Sequence, residues 1–297
     1  MVKNSFWDPS DYNWWTIWSG LLADLVYQGD QRAPRGLLTR ELLGVTIRVK
    51  NGLDNILNHQ LRKLNYQFMV AEWLWIMKGS NELALIEQYM PKLIEFSDDG
   101  KVLAGAYGPR LMPQLPWIVN KLKEPDTRQA VAVIWTPTPE PSKDIPCTVA
   151  LQFLRRDNFI NLIVTMRSSD IWLGLPYDFF TFSQILSCVC GTLACEVGSV
   201  QFNLGSSHLY ESDLPKAEKI LDEMGYGRSF VSERCPGMPP KELLDLLPYA
   251  NNDCVRVQLE DPWFHYGKIL TTGKDRLSAI THLNGTTRPG YVLPEDA

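Results

Sequence analysis

The chain has no apolar run that approaches the ~18–20 residues of a membrane span. Its opening, MVKNSFWDPSDYNWW, is aromatic and holds no signal-peptide core. A membrane protein and an exported one are therefore not expected, and the cytoplasm is the expected location. Cysteine is scarce, with 6 in 297 residues, and none stands in a paired CxxC zinc pattern. Cys188 and Cys190 have the wrong spacing and lie in an apolar segment. No metal site is expected, and no disulfide framework in a chain long enough to bury a large core. Excess positive charge is also missing: 29 Lys and Arg stand against 34 Asp and Glu, for a net charge of −5. That argues against nucleic-acid binding, which shows basic patches. A phosphate-bearing ligand would need locally placed arginines. No internal repeat or low-complexity segment is visible. What is present is an ordinary globular composition, 45% hydrophobic and 21% charged.

One stretch organises the rest: DIPCTVALQFLRRDNFINLIVTMRSSDIWLGLPYD, Asp144 to Asp178. Two apolar runs, Thr148 to Leu154 and Phe159 to Met166, flank the polar turn Arg155-Arg156-Asp157-Asn158. Such runs bounded by turn residues predict a hairpin. Antiparallel pairing then brings Cys147, before the first run, to Arg167, after the second. A thiol beside a fixed cation ionises more easily, and the thiolate is a nucleophile. By itself, a cysteine among apolar residues is more often an inert core residue.

The wider pattern adds weight to the nucleophile. Pro-Cys at 146–147, Met-Arg-Ser-Ser-Asp at 166–170, Leu-Gly-Leu-Pro-Tyr-Asp at 173–178 and Gly-Ser-Ser-His-Leu-Tyr at 205–210 occur in order. Together they resemble the thymidylate synthase superfamily over roughly residues 20–212. The resemblance implies an α/β fold in one domain over 1–297, with a mixed, mainly antiparallel sheet flanked by helices and a divergent region at 213–297. It implies a homodimer joined through the sheet. It also implies attack of Cys147 on C6 of a pyrimidine nucleoside monophosphate, and transfer of the one-carbon unit of 5,10-methylenetetrahydrofolate to C5.

The same resemblance distributes roles. Glu72, a lone carboxylate in the apolar run YQFMVAEWLWIMK, joins a water network that moves protons. Burying such a group is costly unless it has a partner or a task. Tyr107 assists proton abstraction at C5. Arg35, Arg167 and Ser168 take the phosphate, and Arg128 crosses to the neighbouring subunit's site, with Gln129 where most relatives have a second arginine. His208 and Tyr210 hold the sugar, and Asp170, Trp75 and Tyr177 are assigned to the folate. Thr148 after the cysteine, and Asp178 in place of an asparagine, resemble the deoxycytidylate hydroxymethylases. Uracil offers a donor at N3 and an acceptor at O4; cytosine offers the reverse, which a protonated carboxyl complements. A role for Asp178 as a helix cap is the competing explanation. The leading expectation is thus a dCMP or CMP 5-hydroxymethyltransferase. The alternatives are a thymidylate synthase variant on dUMP or another nucleotide, and a non-catalytic nucleotide-binding protein on the same fold.

Elsewhere the tryptophan-rich start predicts a helix packed on the body, with Asp11 as a possible cap, continuing from Gly20 to Gln28. ELLGVTIRVK at 41–50 alternates like an edge or half-buried strand. Helices are expected at 114–124, 213–224 and 240–247, and strands at AVAVIW and VRVQLE. The tail TTRPGYVLPEDA is a candidate for closing over the folate.

Overall fold

The computed structural model describes residues 6–7, 13–137, 141–223, 227–232, 234–250, 252 and 258–272. Asp11, the first half of VRVQLE (255–257) and the tail lie outside these residues.

The strands are β1 (Phe6–Trp7), β2 (Asp30–Arg32), β3 (Thr39–Val49), β4 (Asp54–Asn58), β5 (Val131–Val133), β6 (Thr148–Arg156), β7 (Phe159–Met166), β8 (Ser169–Asp170), β9 (Glu196–Tyr210) and β10 (Arg228–Val231). The helices are α1 (Trp14–Gln28), α2 (Tyr66–Met77), α3 (Leu83–Ile86), α4 (Gly108–Leu111), α5 (Leu115–Lys121), α6 (Leu175–Thr192), α7 (Leu214–Asp222), α8 (Lys241–Leu244) and α9 (Trp263–Thr272). One sheet runs β1-β3-β9-β7-β6-β5, with β2 added on β3 and β8 on β9. Its β2–β3, β3–β9, β5–β6 and β6–β7 pairs are antiparallel, and β9 is parallel to β7 and β8. The sheet is mixed and mainly antiparallel, as expected. β3 is not an edge along its length, because β1 and β2 cover its outer side.

The expected hairpin is β6–β7, and it is longer than expected. The ladder continues through Arg155↔Ile160 and Arg156↔Phe159, so Asp157-Asn158 alone makes the turn. Asp157 takes φ 52°, a left-handed conformation that aspartate tolerates better than most residues. The two arginines stay in strand because their guanidinium groups donate to the Leu122 and Thr127 carbonyls.

Strand alternation separates two faces. On β7, Ile160, Leu162, Val164 and Met166 are buried, whereas Ile163 and Thr165 stay half-exposed on the other face. The inward face packs on α1 and α6, and α6 packs on α2. α6 is apolar all round because it lies between layers. α1 is the expected tryptophan-rich helix, running on without a break through Gly20 to Gln28. Asn13 caps it by accepting the Thr16 N–H at 2.9 Å. Its tryptophans are body-packed: Trp14 stacks on Phe179 at 4.1 Å, and the Trp18 indole N–H donates to the Ile171 carbonyl at 2.9 Å. β4 and β10 form a separate antiparallel pair, clamped to α6 where Ser232 accepts from Asn55 and Gln184.

Candidate active site

Cys147 immediately precedes β6 and Arg167 immediately follows β7. The Thr148↔Met166 pair puts them side by side, and the Arg167 N–H donates to the Cys147 carbonyl at 2.9 Å. The guanidinium is pinned to the same loop: Nε donates to the Pro146 carbonyl and Nη2 to the Ile145 carbonyl, each at 2.9 Å. Its other side lies over the Trp135 ring at 5.9 Å. The arginine thus stiffens the cysteine loop and keeps its charge beside the thiol.

The thiol is not acidic here, contrary to the expectation from Arg167 alone. Burial pushes the Cys147 pKa up, Asp178 and Asp144 add to the rise, and Arg167 and Arg35 only partly oppose it. Desolvation of the thiolate outweighs a guanidinium whose donors are committed to carbonyls.

Three further groups face the same space from three elements. Glu72 comes from the middle of α2, Tyr107 from the turn before α4, and Asp178 from the first turn of α6. Burial, and then the Asp178 charge, push the Glu72 carboxyl up to about 8. Burial, and then Asp170, push Asp178 up to about 7. The Tyr107 hydroxyl is raised by burial and by Asp178, Cys147 and Glu72, so all four groups share one electrostatic environment. Thr148, fully buried, lies against that hydroxyl, although its Oγ1 meets no strict hydrogen-bond geometry.

Asp178 does not cap α6. The helix begins at Leu175 after Gly174, and Pro176 in its first turn is tolerated there. Asp178 lies inside that turn, and its carboxyl has no hydrogen-bond partner among the described residues. Gly174 lies close to both aspartates: a Cβ there would stand 3.3 Å from the Asp170 carbonyl, a tight approach, and 3.6 Å from Asp178 Oδ2, an ordinary contact. Asp170 is raised to about 6 by burial, against the pull of the Trp172 and Leu173 N–H groups that its Oδ1 accepts at 2.8 and 2.9 Å.

Residues 16–229 match the family model described as thymidylate synthase. The chain belongs to the thymidylate synthase family. Among its relatives is a "Deoxyuridylate hydroxymethyltransferase" of Bacillus phage SP01, 32% identical over 78% of this chain and 66% of that protein. Proteins of the same name from Delftia phage PhiW-14 and Pseudomonas phage M6 are each 30% identical over 54% of this chain, and over 50% and 49% of their own length. The chain therefore spans less than two thirds of each of these relatives. The names concern deoxyuridylate, not the deoxycytidylate expected from Asp178.

Within this thymidylate synthase fold the remaining expected residues fall in three groups. His208 and Tyr210 lie on β9 next to Asp170, with their rings edge to face at 5.5 Å. Arg35 is exposed in the turn before β3, at φ 54°, and its charge reaches both Cys147 and His208. Ser168 is half-buried beside Arg167. Trp75 and Tyr177 are packed into the body: the Trp75 indole donates to the Glu82 carbonyl at 3.0 Å, and the Tyr177 hydroxyl accepts the Asn65 N–H at 3.0 Å. Arg128 is exposed before the edge strand β5 and is not among the charges acting on Cys147 or His208.

Sequence reasoning missed three supports. Asp144 accepts the Gly105 N–H at 2.7 Å and so ties the Tyr107 loop to the Cys147 loop. A Cβ at Gly105 would stand 2.7 Å from the Asp144 carbonyl, which explains the glycine. Arg62, buried, donates through Nε and Nη2 to the Trp172 carbonyl and lies over the Trp172 and Tyr177 rings, fixing the turn after Asp170. Trp135, in the proline-rich loop, backs Arg167. A buried arginine needing acceptors was the one signal available, and its partner is 110 residues away. Among the described residues, no cluster of metal-ligating side chains occurs and no helix is long and apolar enough to cross a membrane.

Proposed function

We propose that this chain is a 5-hydroxymethyltransferase acting on a pyrimidine deoxynucleoside monophosphate, with deoxyuridylate as substrate and 5,10-methylenetetrahydrofolate as one-carbon donor. The observation that carries the reading is the buried, unpartnered Asp178 with its pKa near 7. A neutral carboxyl has one donor and one acceptor, so it can accept from uracil N3–H and donate to O4. The conflict between uracil and a carboxylate disappears once the carboxylate is protonated. The names of the relatives point to the same base.

In this reading, Arg167, Arg35 and Ser168 bind the phosphate, and His208 and Tyr210 meet the sugar. Cys147 loses its proton and forms a bond to C6. The displaced electron pair moves toward O4, where the Asp178 proton stabilises it, and C5 becomes nucleophilic. The folate supplies an electrophilic methylene. Glu72 and Tyr107 manage removal of the C5 proton, which expels tetrahydrofolate and leaves an exocyclic methylene on C5; water adds to that carbon as the C6–sulfur bond breaks, and the released thiolate regains a proton. Asp170 orients the folate from its fixed turn. Beside that turn a cavity of about 480 Å³, lined by Arg62, Lys63, Trp172, Lys216 and Lys219, suits the carboxylates a folate carries. A second copy of the chain covers the half-exposed sheet face of Ile163 and Thr165 and receives Arg128.

The same carboxyl supports a second reading, on cytosine. A neutral carboxyl equally donates to cytosine N3 and accepts from its amino group, and the family's usual asparagine is absent at 178. Incubation with dUMP, dCMP and CMP plus methylenetetrahydrofolate, with product masses read out, separates them. The reading predicts that dUMP gains a hydroxymethyl group. Turnover of dCMP alone would favour the second reading; a methyl product, or no turnover of any nucleotide, would refute the hydroxymethyltransferase.

A further inference from the structure

We propose that Glu41 is a positioning residue for the nucleotide: it holds the His208 ring, and thereby the sugar contact, in its working orientation. The inference rests on the reading that His208 meets the sugar. Glu41 stands directly opposite His208 across the β3–β9 ladder, so their side chains leave the same face as neighbours. The Ser206 hydroxyl donates to Glu41 Oε1 at 2.6 Å. Ser206 is two residues from His208 on the same strand and shares its face. One oxygen of the carboxylate is thus fixed on the face it shares with the imidazole, and the other accepts no hydrogen bond among the described residues, so it is free to turn to the ring.

The electrostatics explain why a carboxylate is needed. Burial pushes the His208 pKa down, and the Arg167 and Arg35 guanidinium groups push the same way. Glu41 is the group that opposes them. Tyr210 sits against the ring edge, and Asp170 is its ladder neighbour on β8. Without Glu41 the ring would lose the one negative charge that opposes the two guanidinium groups.

The test uses the full chain. Glu41→Gln keeps an acceptor for Ser206 and nearly the same volume, so folding is preserved and melting temperature checks it. The chain has 4 histidines, so proton NMR titration resolves His208, assigned with His208→Asn. The expected result is a lower His208 pKa in Glu41→Gln, with KM for the nucleotide raised about tenfold and kcat nearly unchanged, as when a charge-assisted contact becomes a neutral one. The pH dependence of kcat/KM shifts with the titration. An unmoved His208 titration, or an unchanged KM, overturns the proposal. Failure of the underlying reading looks different: there His208→Asn itself leaves the nucleotide KM untouched.

Discussion

The two ends of the site are built on opposite principles. At the end proposed for the base, Glu72 and Asp178 face a space walled by α2 and α6, and their pKa values climb to about 8 and 7. At the end proposed for the phosphate, Arg35 and Arg167 are open to solvent, and Arg167 is braced by carbonyls of the cysteine loop. Burial dominates the first end and charge placement the second. The lesson is that an acid can be kept neutral by withholding partners, whereas a cation is kept in place by supplying them.

Removing the group between the two ends has the largest expected effect. Cys147→Ser should lower kcat by about 10³–10⁶-fold while nucleotide binding persists, read by turnover and by calorimetry. Glu72→Gln breaks the base end: turnover should fall about 10²–10⁴-fold. The same change should raise stability at alkaline pH. Glu72 is held neutral in the folded chain while the unfolded chain ionises, so its cost grows from the ordinary glutamate range up to about 8 and is complete above it. The variant should be more stable than the parent by about 1–3 kcal/mol at pH 9 and equal to it near pH 4, by denaturant unfolding. Arg167→Ala breaks the phosphate end and should raise the nucleotide KM by about 10–100-fold, the worth of a charged contact, with a weaker salt dependence. Trp18→Phe has the smallest effect. It frees the Ile171 carbonyl beside Asp170, at a cost of about 1–2 kcal/mol in thermal unfolding, and should raise KM for the folate more than for the nucleotide.

The two ends were also unequally legible. The hairpin could be read because β6 and β7 alternate cleanly and a polar turn divides them, so the Cys147–Arg167 meeting followed from pairing alone. α2 and α6 were visible as long apolar runs, and Glu72 stood out as the one carboxylate in its run. The sign of the Cys147 shift was not legible, because sequence shows a nearby guanidinium but not how much solvent is lost. A helix capped by Asp178 would start after it, yet α6 begins at Leu175: Leu-Gly-Leu-Pro looks like a turn in sequence, although proline fits a first helical turn. β10 and α9 escaped because short or weakly patterned segments carry little periodicity. Glu41 escaped because its meaning lies in a partner on β9, across the sheet.

The most direct test of a proton-bearing Asp178 at the base end is the pH profile of kcat/KM for dUMP in the parent and in Asp178→Asn. The parent needs Asp178 protonated and Cys147 ionised, with the Asp178 pKa the lower of the two. Its profile should rise with pH to about 7, level off, and fall above the Cys147 pKa. An asparagine carries the same donor and acceptor at every pH, so the variant should turn over dUMP, keep rising past pH 7 and show no alkaline fall. An alkaline limb identical in both proteins would contradict the account.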